Sequence, residues 1–259
     1  ESQSRHRGQG VTQFTDDVIE CAKLVQSRDP IRFRAAMAAP LPLRTRLFTL
    51  FAFNIEMSKA AWASKEPMIA EMRLQWWYDA LDEIAKGGLV RRHYVITPLA
   101  LAITPDQAKE LQTSVEARRW DIYTDPFDSN EALQSYLRAT SVPLYQVAAN
   151  DSAKAITDVA TAIGTANFLC AVPMLLEHKK KPLYDGRPDA VRALAKWAYS
   201  LLTSSKLTPH SRLALLSGYA TRKTLQHIIA YPEHVEIGQP PLNPLIDRAL
   251  FLKARFFNL

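Results

Sequence analysis

Residues 152–177 carry little polar surface beyond their first turns, and this segment limits the fold more than any other. On a helix, Ile156, Ala160, Ile163, Cys170 and Met174 leave almost no side free of apolar groups. A helix that is apolar all round is either a membrane span or the centre of a bundle. The longest strictly apolar run here, Phe168 to Leu176, falls well short of the ~20 residues that a span requires. The segment is therefore expected at the middle of a helical bundle. Asn167 lies on its stripe, one turn past Ile163.

The rest of the chain agrees with a bundle. It holds only 8 glycines in 259 residues, no Asn-Gly or Asp-Gly hairpin turn, and few alternating apolar/polar runs. The expected class is all-α: a single multi-helix domain over 13–259, preceded by a disordered lead-in over 1–12. Helices are expected at 14–28, 31–37, 43–62, 67–86, 106–124, 130–149, 152–177, 188–203, 210–230 and 245–256. Pro105 suits a first turn, Ser129 suits an N-cap, and Gly87-Gly88 suits a helix end. Pro143 and Pro173 should kink their helices and widen the space between them. "GQPPLNP", Gly238 to Pro244, sets off the final helix, expected to dock on the bundle.

Charge narrows the function classes. The net charge is +6, from 32 basic and 26 acidic side chains. The basic groups are scattered (Arg44 and Arg46, Arg91-Arg92, Arg118-Arg119, Lys179 to Lys181, Arg222-Lys223), without the aromatic-interleaved stripe that nucleic-acid binding favours. Cys21 and Cys170 are far apart and read as reduced thiols. No signal or transit peptide is recognisable, so the expected location is cytoplasmic, with peripheral contact at an inner membrane as an extension. Hydrolase signatures such as Gly-x-Ser-x-Gly and His-Glu-x-x-His are missing, as is a glycine-rich phosphate loop.

Several polar residues sit where a core helix should be apolar. In "LFTLFAFNIEMSKAAW", Phe51, Asn54, Ser58 and Trp62 share one stripe. Arg73 falls within the arc of Ile69, Trp76, Trp77, Ala80, Leu81 and Ile84. Arg119 falls within that of Ala108, Leu111, Val115 and Ile122. Each arginine needs an acidic partner, an anion or a route to water. Glu56, Glu83 and Glu116 are the nearest partners by helix geometry. Two readings stay open: structural ion pairs, or an anion-holding pair in a central cavity. Asp79 with Glu83 and Asp121 with Asp125 have the spacing of a metal clamp but lie toward solvated arcs.

Four segments in order carry a resemblance: "LFTLFAFNIEMSKAAW", "EPMIAEMRLQWWYDALDEI", "EARRWDIYTDPFDSNEALQSYLRAT" and "AIGTANFLCAVP". Together they resemble successive parts of the squalene/phytoene synthases, over about residues 14–200. The resemblance implies a single bundle of the isoprenoid synthase type with a central cavity. It also implies head-to-head joining of two prenyl diphosphates, with Mg²⁺ held by two aspartate-rich motifs on facing helices. The first motif's metal-facing aspartates would fall near Ser58 and Trp62. The second would fall within "NFLCAVPMLLEHKKK", whose one carboxylate is Glu177. Both clamps are missing from those places. "AFNIEMSKA" and "SKEPMIAEMRLQWWYDALDEI" are similar to a branch without the motifs, the mitochondrial complex I assembly factor of this fold.

The expectation is a squalene/phytoene synthase-like protein without Mg-dependent condensation, acting as a ligand-binding or assembly module, with no cofactor. Its partners would be an isoprenoid or lipid-like ligand, subunits of respiratory complex I, and a membrane surface. The cavity lining is expected from Asn54, Ser58, Trp62, Arg73, Trp76, Arg119 and Asn167. The alternative is a divergent prenyltransferase of isoprenoid biosynthesis, with Mg²⁺ on Asp79, Glu83, Asp121 and Asp125. A further reading gives the tail 245–259 to a membrane, through Leu250, Phe256 and Phe257 with Arg248, Lys253 and Arg255.

Overall fold

Short polar side chains and prolines start most of the helices. In the computed structural model, which describes residues 14–62, 64, 66–123, 125–203, 206–238 and 242–257, every regular element is helical. The lead-in expected over 1–12 lies outside the described residues. Helix α1 (Asp16–Arg28) begins where Thr15 accepts from the Val18 N–H, and α2 (Pro30–Met37) where Asp29 accepts from that of Arg32. Then come α3 (Leu41–Ala60), α4 (Pro67–Lys86) and α5 (Ile96–Ala102). Gly87, at φ +68°, closes α4 in the left-handed region. Helix α6 (Pro105–Ala117) carries a reciprocal capping box of Thr104 and Gln107. It is followed by a 3₁₀ segment, Arg118–Ile122. Ser129 caps α7 (Asn130–Ala149). The chain continues through α8 (Lys154–Glu177), α9 (Pro188–Thr203), α10 (Pro209–Ala214), α11 (Thr221–Ala230), α12 (His234–Ile237) and α13 (Pro244–Phe256).

Helices α3 and α8 form the middle. Leu47, Phe48, Leu50, Phe51, Phe53 and Met57 bury α3 on almost every side. Helix α8 is long and apolar enough to cross a membrane by length and composition, yet it packs against α7, α9, α11 and α12. Its approach to α7 depends on Gly164. A Cβ there would lie 2.5 Å from Ser141 Oγ and 2.6 Å from Ser141 Cβ, so only glycine allows that spacing. One core runs from α1 to α12. A smaller cluster of Ala35, Leu216, Tyr219 and Ala254 lies beneath α13.

Pro143 lies inside α7 and cannot donate to the carbonyl of Ala139 four residues back. The hydroxyl of Ser114, on α6, donates to that oxygen at 2.8 Å instead. The proline's missing bond is thus replaced from a neighbouring helix. Arg46 performs a related task at three helix ends. It donates to the carbonyls of Ala102 and Val147, at 2.8 and 2.6 Å, and to Gln107 Oε1 at 2.9 Å. Burial pushes the Arg46 guanidinium below its ordinary pKa.

Several boundaries differ from expectation, each for a local reason. The helix expected over 106–124 ends at Ala117 and tightens to three residues per turn. The one expected over 210–230 is interrupted by a 3₁₀ turn at Leu216–Gly218. Helices α5 and α12 are too short to show a period. On α4 the buried line is Ala70, Leu74, Trp77, Leu81 and Ile84, while Ile69 and Arg73 are exposed. The expected burial of Arg73 is therefore corrected: the helix has two apolar faces, and Arg73 lies on the outer one.

Helix α13 is held by Arg34, which donates to Asp247 Oδ2 at 2.7 Å, and by the Tyr219 hydroxyl donating to Oδ1. Arg34 beside Asp247 holds its carboxyl below the usual range, against the opposing effect of burial. A depressed carboxylate contributes docking stability that is present above its unfolded pKa of about 3.9 and lost as pH falls through the folded value. Hydrogen-exchange protection of residues 244–256 is therefore expected to drop in acid before that of α8. Separately, Ser114→Ala leaves a buried carbonyl unpaired and should cost about 1–3 kcal/mol in urea unfolding. The cost should shrink in a Pro143→Ala background, where the restored N–H can reach Ala139.

Candidate functional site

The stripe of Asn54 and Ser58 on α3 faces α8 across a cleft. One compartment, of about 250 Å³, is bounded by Ser58, Trp62, Leu137, Gly164, Phe168 and Leu175 among others. A second, of about 420 Å³, extends toward Cys170, Ser217, Tyr219 and Thr221. Arg32, Asn54, Arg118, Tyr145 and Asn167 belong to both, so they form the polar waist between the two. The structure thus brings Asn54, Ser58, Trp62 and Asn167 together. Arg73 and Trp76 line a different and more open groove of about 560 Å³, with Glu56, Lys59 and His93; Trp62 stands on the wall of both. Arg119 lies on the walls of none of these three cavities.

Asn54 is 6% exposed, and its Oδ1 accepts from the Arg32 guanidinium at 2.7 Å. Helix α2 supplies that arginine, whose guanidinium also lies 5.2 Å from the centre of the Phe51 ring. Asp29 is 3.6 Å from Arg32 Nε. The polar residue in an apolar stripe therefore has a definite role: it receives a cation from the neighbouring helix.

Arg118 is the second cation of the waist. Its Nη1 donates to Asp121 Oδ2 at 2.9 Å and to the Tyr136 hydroxyl at 3.1 Å, and Tyr136 donates to Asp121 Oδ1 at 2.6 Å. Burial opposes the charge on Arg118, but the attraction of Tyr136 and Asp121 holds its pKa above the ordinary value. Burial pushes the Tyr136 phenol well above its own. Arg118 Nε is buried without a hydrogen-bond partner among the described residues. Lys180, beyond the end of α8, donates to the carbonyl of Asp121 at 2.8 Å and to that of Tyr123. Its ammonium lies 5.2 Å from the centre of the Trp62 ring, and burial lowers its pKa.

Two expectations about charge are overturned. Asp121 does not face solvent: it is 3% exposed and bonded on both oxygens. Arg119 is not the central arginine of its segment. It pairs with Glu71 across to α4 and with Glu116 at 2.9 Å, and donates to Gln75 at 2.9 Å. Of the partners expected by helix geometry, Glu116 is one, Glu83 instead holds Arg91 at 2.6 Å, and Glu56 holds Lys59 at 2.7 Å. The sequence reading missed Arg118, through a helical wheel extended past Ala117, and Tyr136 and Lys180, which meet its segment only in the tertiary fold. It also passed over Arg32, whose helix is too short for its phase to show.

Magnesium fits this cleft poorly. A divalent ion wants several carboxylate or carbonyl oxygens at close range. The carboxylates on the walls of the two compartments are Asp121 and Asp29, both turned to arginine. Guanidinium and ammonium groups stand beside Asn54 and Trp62. Glu177 is exposed at the end of α8. The alternative set fails as a cluster too. Asp79 is exposed and accepts from Gln75, Asp125 is exposed, Glu83 serves Arg91 and Asp121 serves Arg118. No group of three His, Cys, Asp or Glu side chains suited to a metal exists among the described residues.

Comparison with known proteins places the fold. The sequence profile described as squalene/phytoene synthase matches residues 25–173. The chain is 28% identical over 126 residues to the Drosophila melanogaster "NADH dehydrogenase (ubiquinone) complex I, assembly factor 6 homolog", which covers 46% of this chain and 38% of that protein. It is 26% identical over 103 residues to the Bos taurus protein "NADH dehydrogenase (ubiquinone) complex I, assembly factor 6", covering 35% and 31%. The matched stretches thus span well under half of either relative. Among solved structures, a dehydrosqualene synthase in complex with ligand superposes with a TM-score of 0.73 at 13% identity, over 92% of this chain and 95% of that one. Squalene synthase HpnC from Alicyclobacillus acidocaldarius gives 0.61 at 17% identity, over 82% and 92%. The architecture is that of the isoprenoid synthase fold.

Removing one member of the buried charge cluster should reveal its energetics. Arg118→Met strands Asp121 and is expected to cost about 3–5 kcal/mol of stability. The double variant Arg118→Met, Asp121→Asn should recover a large part of that loss. Urea denaturation of the two single variants and the double closes the cycle.

Proposed function

The chain belongs to the squalene/phytoene synthase family, and from that premise we propose a member that does not catalyse Mg-dependent head-to-head prenyl condensation. Its cleft holds an isoprenoid or lipid-like ligand, and its cellular role lies in assembling respiratory complex I. The observation that carries this reading is the donor set of the waist: Arg32, Asn54, Arg118 and Asn167, with the nearby acids already committed to arginines. Prenyl condensation must stabilise a departing diphosphate, and positioned charge is usually the largest part of that stabilisation. The family resemblance implies Mg²⁺ for this purpose. Here the same space presents amide, hydroxyl and indole groups beside side-chain cations.

The cleft suits an elongated amphiphile. Leu137, Phe168, Met174 and Leu175 supply apolar wall, while the waist supplies hydrogen-bond donors for a polar head. The assembly role rests on likeness to the fly and bovine proteins named as complex I assembly factors.

Three measurements test the parts separately. Purified protein given farnesyl diphosphate and magnesium is expected to form no product above the buffer control; turnover would overturn the non-catalytic reading. Native mass spectrometry of the freshly purified chain is expected to show a retained lipid or isoprenoid mass, and an empty cleft would remove the ligand. Cells lacking the protein are expected to accumulate less assembled complex I on native gels; an unchanged amount would remove the assembly role.

A further inference from the structure

Helix α13 has a docked face and an uncovered one, and the two differ in kind. Asp247, Leu250, Phe251 and Ala254 turn toward the body. Arg34 lies 4.5 Å from the centre of the Phe251 ring and bonds Asp247, so the helix is fixed along its length. Leu250, which the sequence reading gave to the outer surface, is part of this inner face.

The outer face carries Leu245, Leu252 and Phe256, at 74%, 53% and 61% exposure. Spaced by seven and four residues, they form one line along the helix, with Ala249 between them. At 100° per residue, Arg248 and Arg255 run along one margin of that line and Lys253 along the other. None of these three cations has an ion-pair partner among the described residues. The one acid of the helix, Asp247, is turned inward to Arg34. Ile246 and Phe257, also exposed, add apolar surface on the Lys253 side.

We propose that this face of α13 rests in the interface of a bilayer containing anionic lipid. An apolar line between two cationic margins is the arrangement that lets side chains enter the acyl boundary while their charged neighbours stay among the headgroups. Docking along its whole length keeps α13 flat on the protein body, as an interfacial helix must be. A second copy of the chain fits less well, because a two-fold contact through this face would set three cations against three others. The inference is independent of the cleft and of its ligand.

Flotation of the full chain with vesicles tests it. Association is expected with phosphatidylcholine containing phosphatidylglycerol, not with phosphatidylcholine alone, and it should weaken as salt rises. The variant Arg248→Gln, Lys253→Gln, Arg255→Gln is expected to bind on the order of a hundredfold less tightly. Leu252→Ser with Phe256→Ser should also lower binding, with an unchanged thermal melt because both positions are exposed. Phe256→Trp keeps the apolar line and should give a blue-shifted emission on anionic vesicles. No association with those vesicles, binding indifferent to both the charge and apolar variants, or a tryptophan emission unchanged by vesicles would overturn the proposal. So would self-association abolished by the serine pair in a chain that ignores vesicles, which would give the face to a second copy.

Discussion

The pairing of half-buried Arg118 with buried Asp121 sets the terms for the centre of this protein. A guanidinium in that position must find negative charge and hydrogen-bond acceptors within the fold. Asp121 and Tyr136 supply them, closing a ring of three bonds between the 3₁₀ segment and α7. Lys180 then fastens the chain after α8 to the backbone of the same segment. Three parts of the sequence are thereby tied at one end of the cleft. Asp121 is committed on both oxygens in the process, so the structural demand and the chemical character of the site share one cause.

The gross architecture was legible because long helices report their period. Helices α3, α4, α7, α8 and α9 lie close to their expected ranges, and the all-round apolarity of 152–177 placed α8 at the centre. The failures lie where the period breaks or doubles. Helix α4 has apolar residues on two faces, and a wheel cannot say which one meets the core. It was read through Ile69, Trp76, Trp77, Ala80, Leu81 and Ile84, with Arg73 among them. The structure buries the last four of that arc, adds Ala70 and Leu74, and leaves Ile69 and Arg73 exposed. After Ala117 the chain changes pitch, so any phase carried forward from α6 exchanges the roles of Arg118 and Arg119. The first error came from a choice between two faces, the second from a phase carried past the point where its geometry holds.

The prolines show a different limit. Sequence alone flags Pro143 as a break in a hydrogen-bond ladder, but not what becomes of the freed carbonyl. That depends on which side chain of which neighbouring helix stands opposite, here Ser114. Asn54 is the same problem in reverse. Its polarity in an apolar stripe was visible, while its partner, Arg32, comes from a helix of eight residues with no readable face. Residues that act through tertiary partners are conspicuous without being interpretable.

A cleft in this position of the fold could be neutral, acidic or cationic. An acidic one would attract divalent ions, and a neutral one would be indifferent to the charge of a ligand's head. The cleft here is the third kind. Its acids are paired, its waist carries two guanidinium groups, and a lysine stands beside Trp62. Coulomb repulsion between like charges at a few ångströms disfavours a divalent cation even before the missing ligands are counted. An aspartate introduced at Ser58 would share its compartment with Arg32 and Arg118, whose guanidinium groups compete with a metal for the carboxylate. A magnesium site in this cleft would require removing cations as well as adding acids. The cationic character of the cleft is built into the packing of α2, the 3₁₀ segment and the end of α8.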